Sequence, residues 1–116
     1  MKVKIISLSF FSILFSISST HAEQKIPMSD KYYQGKYFLI SNIRTGKINT
    51  VIYKANFKAE TVYSKMEINC SSIKIRATGE GINGIKYIKE FEDKGTWSTP
   101  VHESTHSDVV SFVCKI

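Results

Sequence analysis

The chain has 116 residues, with 16 lysines and arginines against 10 aspartates and glutamates, a formal net charge of +6, and 42% hydrophobic residues. That length suits one domain and excludes a multidomain enzyme. The basic residues are scattered, mostly singly, from Lys25 to Lys115. They are not gathered on one element with stacking aromatics, so no nucleic-acid partner is expected; a solvated, mildly basic surface of this kind favours acidic partners or an anionic envelope.

Met1-Lys2-Val3-Lys4 makes a positive start, Ile5 to Ser19 is an uncharged apolar run with interspersed serines, and Thr20-His21-Ala22 ends in a small residue before Glu23. This is the order of a secretory signal peptide over residues 1–22, with cleavage between Ala22 and Glu23. The apolar run, about 15 residues, is shorter than the roughly 20 a membrane span needs. No cysteine stands near the cleavage site to carry lipid. The expected product is an exported, soluble protein, periplasmic or secreted, with no membrane anchor after cleavage. Loss of Lys2 and Lys4 lowers its formal charge from +6 to +4.

Residues 23–36 are polar, with Pro27, Ser29, Asp30 and Gly35, and read as an N-terminal arm or loosely packed lead-in to a single domain over residues 37–116. From Tyr37 the apolar period is mostly two. Tyr37 to Ile43 and Ile48 to Ala55 are rich in strand formers and flank the turn signal Arg44-Thr45-Gly46-Lys47, which predicts a hairpin. Lys58 to Tyr63 reads as a short strand or a loop. In Ser64 to Cys70, Met66, Ile68 and Cys70 share one face and Lys65, Glu67 and Asn69 the other. Ile73, Ile75 and Ala77 then alternate with Lys74, Arg76 and Thr78, so apolar parity switches from even to odd. A bulge at Ser71-Ser72 would restore one core face along a single long strand; a tight turn there is the alternative. Gly79 to Gly84 reads as a loop holding the hairpin pair Asn83-Gly84, and Ile85 to Glu92 as a further strand ended by Asp93-Lys94-Gly95.

The tail changes period. Val109, Phe112, Val113 and Ile116 have the i, i+3, i+4, i+7 spacing of one helix face, and Thr105 followed by Asp108 resembles a capping box. The expected fold class is α+β: an antiparallel β-sheet of about five to six strands with a C-terminal α-helix. Cys70 and Cys114 both lie in the processed chain, and two cysteines in a small exported protein pair. A crosslink across this span contributes roughly 4 kcal/mol, a large part of the stability of so small a domain. It would staple the helix to the sheet.

The sharpest chemical motif is His102-Glu103-Ser104-Thr105-His106, a literal H-E-x-x-H. On a helix, His102 and His106 would share a face and hold zinc, with Glu103 as general base. A catalytic zinc normally takes a third protein ligand, and only Asp108 follows as an acidic candidate; the remaining histidine, His21, leaves with the signal. Ser104 and Thr105 are better caps than helix formers, so the helix is expected to begin inside the motif. His102 and His106 are therefore poor metal candidates, and no metal, cofactor or catalytic residue is assigned. No G-x-S-x-G or glycine-rich phosphate loop is present, Glu90 and Glu92 read as the wet face of a strand, and the six tyrosines and Trp97 read more readily as core than as a binding face.

Residues 37–116 resemble the surface-adhesin E-like family of small exported bacterial proteins. The resemblance is carried by Glu67-Ile68-Asn69-Cys70, the basic strand Lys74-Ile75-Arg76, Trp97-Ser98-Thr99-Pro100-Val101, Ser104 before the helix, and Val113-Cys114. It implies an antiparallel sheet with a C-terminal helix pinned by Cys70–Cys114, structural roles for Trp97, Pro100 and Ser104, and binding of host matrix or plasma proteins. The chain departs from the pattern where His102-Glu103 replace a Pro-Gly pair, and in lacking the lipid-bearing cysteine of a surface-anchored member. The expected function is a non-enzymatic, adhesin-like binding protein of the bacterial cell envelope, contacting another protein of host matrix or envelope. The alternatives are a periplasmic inhibitor or immunity protein against an envelope-directed enzyme, a structural accessory of an envelope complex and, remotely, a zinc hydrolase through His102-Glu103-His106.

Overall fold

A computed structural model describes residues 23–116; residues 1–22, where the signal peptide is expected, lie outside the described residues. Six strands follow one another in a single antiparallel sheet: β1 (Gln24–Lys25), β2 (Tyr37–Thr45), β3 (Ile48–Asn56), β4 (Thr61–Asn69), β5 (Lys74–Ile82) and β6 (Lys89–Glu90). The helix α1 (Thr105–Cys114) packs on one face. The α+β class, the antiparallel sheet and the C-terminal helix agree with the sequence reading.

The expected hairpin is β2–β3, and its loop shortens to Gly46-Lys47. Arg44 and Thr45 stay in the strand, opposite Asn49 and Ile48. Gly46 has φ 63, which a two-residue hairpin turn requires and glycine adopts without strain. β4 begins at Thr61, after a loop closed by Phe57 N–H donating to Glu60 O at 2.9 Å.

The parity switch is a tight turn, not a bulge in one long strand. Asn69 Oδ1 accepts from the backbone N–H groups of Ser71 and Ser72 at 3.0 and 3.2 Å, folding the chain back so that Asn69 pairs with Lys74. Ile73 turns the corner at φ 53, unfavourable for a β-branched residue, and packs its side chain against the core.

Two further readings are corrected. Gly79 to Ile82 continue β5 instead of forming a loop, and Ile85 to Glu92 is a short 3₁₀ turn (Ile85–Tyr87) followed by the two-residue β6. The glycines explain both. A Cβ on Gly81 would stand 2.5 Å from the carbonyl oxygen of Tyr87, and one on Gly79 2.9 Å from that of Lys89. The returning segment lies directly against the β5 backbone, at a distance that only glycine admits.

The core lies between α1 and the inward positions of β2 to β5. Val51, Met66, Ile68 and Ile75 meet Val109, Val110 and Val113. The helix face is thus turned from the expected one: Val110 is buried, Phe112 is only half-buried, and Ile116 is exposed because Lys115 leaves the helix in the left-handed region at φ 58. The cap also moves by one residue. Ser104 is the N-cap, its Oγ accepting from Ser107 N–H at 3.1 Å.

Asp108 instead reaches the N-terminal segment, taking the Ser29 hydroxyl at 2.6 Å and the Ser29 N–H at 2.9 Å. That segment is not a loosely packed arm. Ile26 and Met28 are buried in the core, and Ile26 N–H donates to Tyr37 O at 2.9 Å. Its polar composition conceals two apolar side chains that fill space beside Val109 and Val110. Tyr37 and Tyr53 are core residues, with Tyr33 and Phe57 edge-on to Tyr37; burial pushes the Tyr53 phenol up to about 12.

Cys70 and Cys114 form a disulfide with Cα atoms 5.6 Å apart, joining the last residue of α1 to the turn after β4. No helix among the described residues is long and apolar enough to cross a membrane.

Candidate functional site

The H-E-x-x-H motif does not form a helical face. α1 starts at Thr105, so His102 and Glu103 lie in the preceding turn, with Glu103 at φ 62, and only His106 is helical. Ser104 divides the motif: its hydroxyl donates to Val101 O at 2.6 Å while capping Ser107. Both histidines are exposed. Among the described residues, no three histidine, cysteine, aspartate or glutamate side chains gather as a metal cluster.

Trp97 and Pro100 are half-buried. Ser98 forms a two-bond bridge with Ile75, at 2.8 and 2.9 Å, which sets Trp97 beneath the Arg76 guanidinium at 4.5 Å from the ring centroid. Arg76 also binds Glu67 at 2.7 Å, and Lys94 reaches the other oxygen of that carboxylate at 3.1 Å. Burial raises the Glu67 carboxyl, but the hydrogen bonds and charges of Arg76 and Lys94 outweigh it and hold it below its ordinary value. Glu90 is tied to Lys65 at 2.8 Å. These ion pairs on the outer sheet face engage both carboxylates and tie Lys94 and Glu90, on the returning segment, to the sheet.

Two surfaces remain with groups suited to a partner. The first lies where β5 ends and the chain turns back along it: Ile82, Ile85 and Tyr87 are 47, 49 and 55% exposed, and Phe91, 40% exposed, stands further back beside Thr78. Beside them a groove of about 630 Å³ is lined by Val62, Gly81, Ile82 and Tyr87, with Glu60, Glu80 and Lys89 at its margin. Gly79 and Gly81 let the 85–91 segment come down on β5, and that close approach leaves no room beneath it for these side chains. The result is an apolar centre with a charged rim, the arrangement of a protein contact.

The second surface is the outer edge of β2. β1 covers only Phe38 and Leu39, and a groove of about 550 Å³ runs between the edge and α1. Its lining includes Leu39, Asn42, Phe112 and Lys115.

Reading the sequence brought together neither surface. The clue to the first was the apolar series Ile82, Ile85, Tyr87 and Phe91, out of phase with a single strand and spaced around glycines. The second depends on the meeting of β2 with α1, which no local pattern announces. No family model, curated protein or solved structure matches the chain.

Proposed function

We propose that the chain is a non-enzymatic, exported binding protein of the bacterial cell envelope, adhesin-like in that it holds another protein through an apolar surface patch. The observation that carries this reading is the pair of exposed apolar side chains lining the groove, Ile82 and Tyr87, with Val62 beside them in its wall. A contiguous exposed apolar surface of this kind marks a place where a partner docks. Export is supported by the leader-like residues 1–22 and by the Cys70–Cys114 bond, which persists in oxidising compartments. The resemblance to surface-adhesin E-like proteins points the same way.

The test is a binding assay with the processed protein immobilised, envelope extract and purified host matrix proteins being offered separately. Saturable binding to a matrix protein, weakened about tenfold or more in Tyr87→Ala, is the expected result. Exclusive capture of an envelope enzyme, with loss of its activity, would replace adhesion by inhibition. Binding that ignores Tyr87→Ala and Ile82→Ser would remove the patch from the account.

A further inference from the structure

The sheet face turned away from α1 is apolar where a water-facing sheet is polar. An antiparallel sheet with one face on the core usually alternates, hydrophobic in and polar out. Here the outward positions of β2 and β3 carry Phe38, Ile40, Ile43, Ile48 and Ile52. None of the five belongs to the core or packs against it. Ile43 is 64% exposed, and the other four are half-buried among their neighbours on the sheet. Lys54 stands over the Phe38 ring at 5.7 Å, so its stem covers apolar surface while its charge reaches the rim.

The charges on this face are lopsided. Among the described residues, each carboxylate along its strands is held by a cation: Glu23 by Lys54, Glu90 by Lys65, and Glu67 by both Arg76 and Lys94. Lys25 lies opposite Phe38 and Lys74 opposite Asn69, with no acid across from either. Six cations against three carboxylates leave the face positive, and none of those carboxylates is free to repel an anion. Glu92 and Asp93 follow on the returning segment, outside β5 and across the sheet from Phe38 and Ile43.

The chain also enters the fold here. Glu23, tied to Lys54 on this face, follows the uncharged apolar run Ile5 to Ser19 by three residues, Thr20-His21-Ala22. An apolar run entering a bilayer at that point would hold this face against the surface. Two copies stacked on it would instead set their surplus lysines against one another. We propose that the outer face of the sheet rests on an anionic lipid surface. The apolar side chains of β2 and β3 enter the boundary between headgroups and acyl chains, and Lys25, Lys54, Lys65 and Lys74 meet lipid phosphates. Attachment is peripheral and reversible. The groove at Ile82 and Tyr87 opens on the other side, since Val62 in its wall lies opposite the buried Ala55. Lipid and protein contacts can therefore coexist, and either can fail alone.

The test is vesicle sedimentation with the processed protein, offered phosphatidylcholine vesicles and mixed phosphatidylcholine–phosphatidylglycerol vesicles. Binding to the mixed vesicles alone is expected at low salt, falling as salt is raised. Reversing Lys25 and Lys74 together to glutamate should weaken it about tenfold or more. The matched reversal of Lys89 and Lys115, which line grooves on the helix side, should keep most of it. Ile43→Ser, an exposed position that leaves the charges intact, should weaken it as well. The salt series and Ile43→Ser keep the test decisive if the lysine reversals disturb folding, which circular dichroism reports. Equal binding to both kinds of vesicle, indifference to salt, equal losses in the two reversal pairs, or no vesicle binding would each overturn the proposal. Binding to soluble polyglutamate as tight as to vesicles, and unchanged by Ile43→Ser, would replace the lipid surface by a polyanion.

Discussion

β5 and β2 are the long strands nearest the two sides of the sheet, and their outward edges are finished in opposite ways. Along β5 the chain returns in short pieces: Ser98 bridges Ile75, Gly95 and Phe91 donate to Ala77 and Thr78, and β6 pairs with Gly79 and Glu80. Along β2 the cover stops at Leu39. The covered edge is built from glycines that admit a second backbone and from ion pairs that hold it down. The open edge has instead a helix nearby, and a groove between the two. An edge can thus be blunted without a full partner strand, while the one left unblunted lies beside a suitable pocket.

The largest expected effect comes from breaking the staple that holds the wall of the open edge. Cys114→Ala should cost about 2–5 kcal/mol in urea unfolding, because Cys70–Cys114 closes a span of 44 residues. Amides of α1 should lose protection before those of β5 and β6. A midpoint unchanged under reduction would show that packing alone seats the helix.

Gly81→Ala attacks the covered edge. Its Cβ would meet the Tyr87 carbonyl at 2.5 Å, and backbone must move; about 2 kcal/mol of destabilisation is expected, with new exchange at residues 87–91. Denaturant titration beside a Gly46→Ala control, where nothing lies within 4 Å but φ is 63, separates crowding from backbone strain.

Asp108→Ala removes both Ser29 contacts and should cost about 1 kcal/mol, loosening β1 and lengthening the open part of the β2 edge while β6 is unaffected. Hydrogen exchange at Gln24 to Met28 measures this directly.

A smaller, pH-dependent effect should come from Glu67. Its folded carboxyl is held below 4.5, so the stability it contributes is present above that value and is lost as pH falls through the folded value. Unfolding of Glu67→Gln and the parent should differ at neutral pH and converge in acid. A constant gap across that range would show that the carboxyl does not titrate as its partners require.

Least of all, Ile43→Lys should change stability by no more than about 0.5 kcal/mol, since Ile43 is 64% exposed on the open edge. It should reduce edge-driven association in light scattering, as a lysine on a free edge discourages pairing.

Local chemistry determined much of this molecule. Alternation in Tyr37–Ala55 and Ser64–Ala77 marks the strands, Gly46 marks the first hairpin, and the 109–113 spacing marks the helix, though not the residue that caps it. Two cysteines in one small chain specify their pairing, because no third partner competes. Tertiary structure decided what periodicity cannot carry. Asn69 bonding Ser71 and Ser72 made the parity switch a turn, since a side chain competing for backbone donors leaves no trace in an apolar count. Ile26 and Met28 became core because Asp108, about 80 residues further on, anchors Ser29 beside them. The groove at Asn42 and Lys115 exists only because a helix ends next to an unpaired strand. The sequence encodes which faces are apolar, and only the folded chain shows which edges are left for a partner.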